Sequence, residues 1–153
     1  MAIPSSAIGT ELLPVSALVE RGRLRFFAEA IGEFDPLYSD LAAARAAGYP
    51  DLPVPLTFLF GLELDGPDPF SWLTDFGVDL RFVLHGSQRF SYNQLAFAGD
   101  DLLLKPTISS VYEKRGGALE FVIVDTLVTR GAETIATSTK TVVVRHPELE
   151  TAR

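Results

Sequence analysis

Two segments near the C-terminus, LEFVIVDTLVTR (119–130) and TIATSTKTVVVR (134–145), constrain the fold of this chain more than any other feature. Both are dense in β-branched residues, which fit a pleated, half-buried surface. A glycine turn, RGAE, joins them, and a second, KRGGA, leads into the first. Long strands joined by tight glycine turns dictate an antiparallel meander. The strand reading extends upstream. LLLKPTISSVYE precedes the KRGGA turn, with Pro106 predicting a bulge or an edge position because proline has no amide proton for a neighbouring strand. HGSQRFSYNQL alternates so that Phe90 and Tyr92 share a face, and PVSALVE reads as an opening strand.

The first half is helical and loopy. Leu24, Phe27, Ala28 and Ile31 follow the i, i+3, i+4, i+7 spacing of one helix face, and Gly32 stops that helix. Ser39 is placed to cap a second short helix, DLAAARAAG, which Gly48 ends. PLTFLFGLEL is apolar nearly all round, which predicts a helix buried within the fold. Pro55 then falls in its first turn, where a missing amide proton costs nothing, and Thr57 and Phe58 carry unpaired amides just behind it. A strand, helices, one very apolar helix and then long antiparallel strands make an α+β pattern. A sheet wrapped around one buried helix satisfies it, which is the hotdog arrangement. The expectation is one domain over 1–153, with its core at about 8–145.

Composition narrows the partners. A formal charge of -7 argues against nucleic acid as a general partner, since phosphate binding needs a basic face. The chain has no cysteine, which removes thiol nucleophiles, disulfides and cysteine metal sites. No basic n-region followed by an apolar run opens the sequence, so no signal peptide is expected. The greasiest stretch, LPVPLTFLFGLEL, contains two prolines and is too short to span a bilayer. A soluble, cytoplasmic protein with no membrane partner is the expectation.

Phosphate loops, nucleophile elbows and dinucleotide fingerprints are missing from the sequence. His85 and His146 are the two imidazoles, and neither has a carboxylate at metal-site spacing, so no metal is expected. What remains is GEFDPLYSD (32–40) with Glu33, Asp35 and Tyr38, the amides of Thr57 and Phe58, and His85 in LHGSQ. Helix N-terminal amides aimed into a pocket can stabilise a developing oxyanion, and a carboxylate with an imidazole can move a proton and a water. Each group also has a plain reading. Asp-Pro opens many turns, Tyr38 can be a packed aromatic, and His85 beside Gly86 can be a turn residue.

VERGRLRFFAEAIGEFDPLYSDLAAARAAGYPDLPVPLTFLFGL, followed by LHGSQRFSYNQLAFAGDDL, resembles the N-terminal MaoC-type dehydratase domain of the (R)-specific enoyl-CoA hydratases and 3-hydroxyacyl dehydratases. The likeness covers about residues 8–145, and AAGYPDLPVPLTF, LHGSQ and AGD are its most specific pieces. Active members of that group carry Gly-Asp-x-Asn-Pro-(Leu/Ile)-His after the helix, and the Asp and His activate the water. Laid on this chain, the Gly falls on Gly32, the Asp on Glu33, the Asn on Asp35 and the His on Tyr38, while Pro36 and Leu37 match. The resemblance thus implies the family's loop without its usual dyad. Glu33 adds a methylene, and a phenol of pKa about 10 replaces an imidazole of about 6.5.

The resemblance implies a subunit of an acyl-CoA or acyl-carrier hydratase/dehydratase, paired with a catalytic hotdog partner. Two alternatives stand beside it. One is a self-sufficient homodimeric hydratase using Glu33 or Asp35 with His85 or Tyr38; the other is a non-catalytic acyl-thioester-binding subunit. A hotdog thioesterase is a further possibility that the motifs resemble less. A hotdog homodimer or heterodimer is expected, and no cofactor beyond the CoA or carrier thioester. Pro55, Thr57 and Phe58 are candidates to border the acyl group, and Arg81 and Arg89, with Lys105 and Arg115, to meet CoA phosphates.

Overall fold

The glycine turns close where the sequence places them. In the computed structural model, which describes residues 2–150, five antiparallel strands form one sheet: β1 Val15–Leu18, β2 Val83–Tyr92, β3 Asp101–Lys114, β4 Leu119–Arg130 and β5 Glu133–Arg145. Their spatial order is β1-β3-β4-β5-β2, so β1 and β2 are the edges. Pro106 sits in β3 beyond the end of β1, which pairs only with residues 101–104. There its missing amide faces a loosely paired segment, in which Leu12 donates its own amide to the Pro106 carbonyl at 2.9 Å. The bulge in β3 lies just beyond, between Ile108 and Ser110.

Helix α1 spans Arg21–Ala30 and buries Leu24 and Ala28, while Ile31 lies outside it and is more than half exposed. The second helix, α2 (Leu41–Ala46), is capped by Asp40, whose carboxylate accepts from the Ala42 amide at 2.8 Å, and not by Ser39. Aspartate one residue later reaches the amides of the first turn; the Ser39 carbonyl instead accepts from the Arg25 guanidinium at 2.7 Å. Short helices α3 (Leu59–Leu62), α4 (Ser71–Asp75) and α5 (Pro147–Glu150) complete the chain. No helix among the described residues is long and apolar enough to cross a membrane.

The central helix is shorter than PLTFLFGLEL predicts. Residues 56–58 form a turn, α3 has four residues, and a 3-10 turn over Glu63–Asp65 follows. Leu59 and Leu62 are fully buried against the sheet, each worth roughly 1.5–3 kcal/mol of burial. Phe58 packs edge-on against Phe27 of α1, with centroids 5.3 Å apart. The entry to α3 is held by the segment before it. Val54 donates to the Ala96 carbonyl and Ala98 to the Leu52 carbonyl, each at 2.9 Å. Asp51 takes both arms of the Arg21 guanidinium, at 2.8 and 2.5 Å, and its carboxyl falls to about 2. Asp100 likewise accepts from the Phe97 amide and from Arg130. The PDLP and AGD stretches are therefore fastenings that join two loops.

Two hydrophobic clusters fill the concave side of the sheet. One gathers Leu102, Leu104, Val128 and Ala136 with Phe58, Leu59 and Leu62. The other gathers Ile108, Val122, Val124, Val142 and Val144 with Leu73 and Val78.

Candidate functional site

The loop after α1 is built by its own carboxylates. Gly32 ends the helix at φ +74°, a conformation that favours glycine, and the Glu33 amide then donates to the Ala28 carbonyl at 2.8 Å. The Glu33 carboxylate accepts from the Asp35 amide at 3.0 Å. That of Asp35 accepts from the Leu37 amide at 2.9 Å and caps the 3-10 turn Pro36–Tyr38. Burial raises the Tyr38 phenol above its ordinary pKa, and the charges of Glu33 and Asp35 push the same way. A phenol that holds its proton more tightly than usual is no base near neutrality. Glu33, Asp35 and Tyr38 are thus brought together, without an imidazole.

His85 stands elsewhere, on edge strand β2. Its ring stacks on Phe60 of α3 at 4.7 Å, and its Nε2 lies 3.0 Å from the Ser87 carbonyl. A carbonyl can only accept, so Nε2 carries the proton. The adjacent Gly86 has no room for a side chain, since a Cβ would meet Val143 at 2.9 Å where β2 bulges. Of the groups before α3, Pro55 is buried and Thr57 is exposed. The Phe58 amide is not free as the sequence predicts: it donates to the Pro55 carbonyl at 2.9 Å, because the chain turns before the helix begins. Arg81 is exposed and forks onto Asp79, while Arg89 lies exposed along β2.

Sequence reasoning passed over a line of polar residues that crosses the sheet between the two apolar clusters. Gln88 of β2 faces Lys140 of β5, and Ser138, two residues from Lys140 on the same face, pairs in register with Thr126 of β4. Pro106 of β3 pairs with Thr126 and ends the line. Glu63, at the end of α3, sits over it. Its carboxylate accepts from the Lys140 ammonium at 2.5 Å and from the Ser138 hydroxyl at 3.2 Å, and the Gln88 amide donates to Ser138 at 2.7 Å. The side chains of Lys140 and Glu63 are 13% and 4% exposed, which makes this a buried ion pair. Gln88 Oε1 and Thr126 Oγ1 are buried without a hydrogen-bond partner. Each such atom costs about 1–3 kcal/mol.

Two cavities flank this line. One of about 410 Å³ is walled by Phe60, Leu64, Trp72, Leu80 and Val142, with His85 and Lys140 as its polar members. The other, of about 490 Å³, lies between the N-terminal segment and residues 66–76, and includes Leu12, Val15, Leu104 and Glu63 in its wall. Both volumes suit a small-molecule ligand. Among the described residues, no cluster of three or more His, Asp or Glu side chains is placed to hold a metal.

A curled antiparallel sheet around a short apolar helix, with a self-capped loop after the first helix, defines a hotdog protomer. Residues 6–138 match the family model described as the FAS1-like dehydratase domain region, and the chain belongs to that family. A UPF0336 protein of Streptomyces coelicolor is 36% identical over 117 residues, covering 76% of this chain and 78% of that protein. Among solved structures, the C-terminally truncated HadBC (3R-hydroxyacyl-ACP dehydratase) complex of Mycobacterium tuberculosis contains a chain with TM-score 0.76 and 25% identity. The match covers 92% of this chain and 99% of that one. The ChsH1-ChsH2 complex of the same organism matches with TM-score 0.72 at 20% identity, over 92% of this chain and 90% of that one. Structures of MaoC-like dehydratases share the fold as well.

Proposed function

We propose that this chain is a subunit of an acyl-thioester hydratase or 3-hydroxyacyl dehydratase, and that it holds the acyl group while a hotdog partner supplies the Asp/His pair. The observation that carries this reading is the loop at 33–38. Its two carboxylates accept backbone amides of the same loop, and its Tyr38 phenol has a raised pKa. The backbone of the loop sets the orientation of each carboxylate, and among the described residues neither is hydrogen-bonded to an imidazole that would complete a water-activating pair. The free edge of β2 offers unpaired backbone for a second sheet, and two structural relatives are two-component complexes by name. CoA or an acyl carrier is the proposed thiol. The test is hydration of enoyl-CoAs by the complex with Glu33→Gln and Tyr38→Phe in this chain. The reading expects rates within about threefold of the wild type, whereas losses of the 10²–10⁴-fold typical of a removed acid or base would overturn it.

His85 favours a second reading, a homodimeric hydratase with a variant site. Its imidazole lines the smaller cavity, with a defined tautomer and a ring held by Phe60. Under that reading His85→Ala abolishes hydration by the isolated chain; an unchanged rate removes it. Binding of acyl thioesters with no turnover beside any catalytic hotdog partner would leave a non-catalytic acyl-binding subunit.

A further inference from the structure

The Lys140–Glu63 pair stands where the two cavities meet. Lys140 forms part of both walls, and Trp72 is the other residue they share. Glu63 lines the larger cavity. The pair is set in apolar surroundings, with one hydrophobic cluster on either side. Two apolar side chains of similar size would hold such a position at least as well, because the attraction within a buried pair is largely offset by desolvation. The pair therefore contributes something other than stability. An ammonium has three N–H donors, and the hydrogen bond found for Lys140 among the described residues uses one of them, to Glu63. The line continues into Gln88 Oε1 and Thr126 Oγ1, both without partners. Hydrogen-bonding capacity exceeds what the chain itself satisfies.

Charge decides what kind of group fits. Glu63 cancels Lys140, so the site offers hydrogen bonds with no net charge. A carboxylate on a ligand would be repelled by Glu63 and would bring an uncompensated charge into the apolar interior. A plain alkyl chain would leave the donors unmatched. A hydroxyl can accept from Lys140 and donate to Glu63, and a carbonyl can accept from Lys140. We propose that the two cavities are consecutive compartments of one acyl channel, and that Lys140 and Glu63 receive a neutral oxygen substituent, a hydroxyl or a carbonyl, on the acyl chain away from the thioester. This specificity rests on the acyl-thioester reading given above.

The test is calorimetric binding of dodecanoyl-CoA and of its positional hydroxydodecanoyl-CoA isomers, to the protein in the assembly in which it purifies. One isomer or more should bind about tenfold tighter than dodecanoyl-CoA, as expected for a hydrogen bond to a charged group. The paired variant Glu63→Leu/Lys140→Met should lose that preference and bind dodecanoyl-CoA at least as tightly as the wild type, since it removes the donors that a plain chain leaves unmatched. Glu63→Gln keeps an acceptor for Lys140 but uncovers its charge, and should shift the preference toward a carboxy-substituted chain. The subsite is overturned, with the acyl reading intact, if dodecanoyl-CoA binds and no isomer is preferred. A preference unchanged in both variants overturns it too. If no thioester binds, the acyl reading itself fails and the subsite with it.

Discussion

The loop at 33–38 and the polar line beneath α3 are made of similar parts, a carboxylate next to hydrogen-bond donors, and differ in what surrounds them. In the loop, Glu33 and Asp35 face backbone amides at an accessible turn and act as caps. Under α3, Glu63 faces Lys140 and Ser138 in a buried setting, with two polar atoms beside them unpaired. The loop has the letters of a catalytic motif, with one oxygen of each carboxylate held by its own backbone at an accessible turn. The buried line has no motif, and its groups have capacity to spare. Burial and satisfaction, more than residue type, separate a scaffold feature from a site.

The largest test of this contrast is stability. Glu63→Ala strands a buried ammonium and should cost about 3–5 kcal/mol in urea unfolding. Asp35→Ala removes a turn cap and should cost about 1 kcal/mol. Equal losses would erase the distinction between the two regions. A smaller effect of opposite sign is expected at Thr126, where Val replaces an unpaired hydroxyl with a methyl of the same shape. Thr126→Val should raise stability by about 1 kcal/mol, and a loss would mean that the hydroxyl has a partner.

A further effect lies in the alkaline limb. Burial pushes the Tyr92 phenol up to about 12, and its hydroxyl donates to the Leu56 carbonyl at the entry to α3. Its folded pKa lies above the ordinary value of about 10, so the contribution is complete below pH 10 and is lost as pH rises from about 10 to about 12. Tyr92→Phe should flatten that part of the stability profile. An unchanged slope would place its origin in another group.

The meander was legible because strand period and glycine turns agree, and Gly131 and Gly116 do turn with positive φ. Asp51 and Asp100 stood in recognisable motifs, yet their role as loop fastenings needed the partners Arg21 and Arg130, which are distant in sequence. The extent of α3 was not legible, since a segment apolar on every side has no period to mark its ends. The polar line was hidden for a sharper reason. In TIATSTKTVVVR either alternate set is a plausible inner face, and Lys140 argues that its own set points outward. The fold turns it inward because Glu63, far away in sequence, waits there.

In the proposed function, this chain carries the acyl-binding scaffold of a hydratase while the water-activating pair comes from a partner. This division is tested most directly by measuring enoyl-CoA hydration with the purified chain alone, and again after adding a hotdog partner that has an intact Asp/His loop. Turnover should stay at background with the chain alone and appear with the pair; full turnover by the isolated chain would overturn the proposed function.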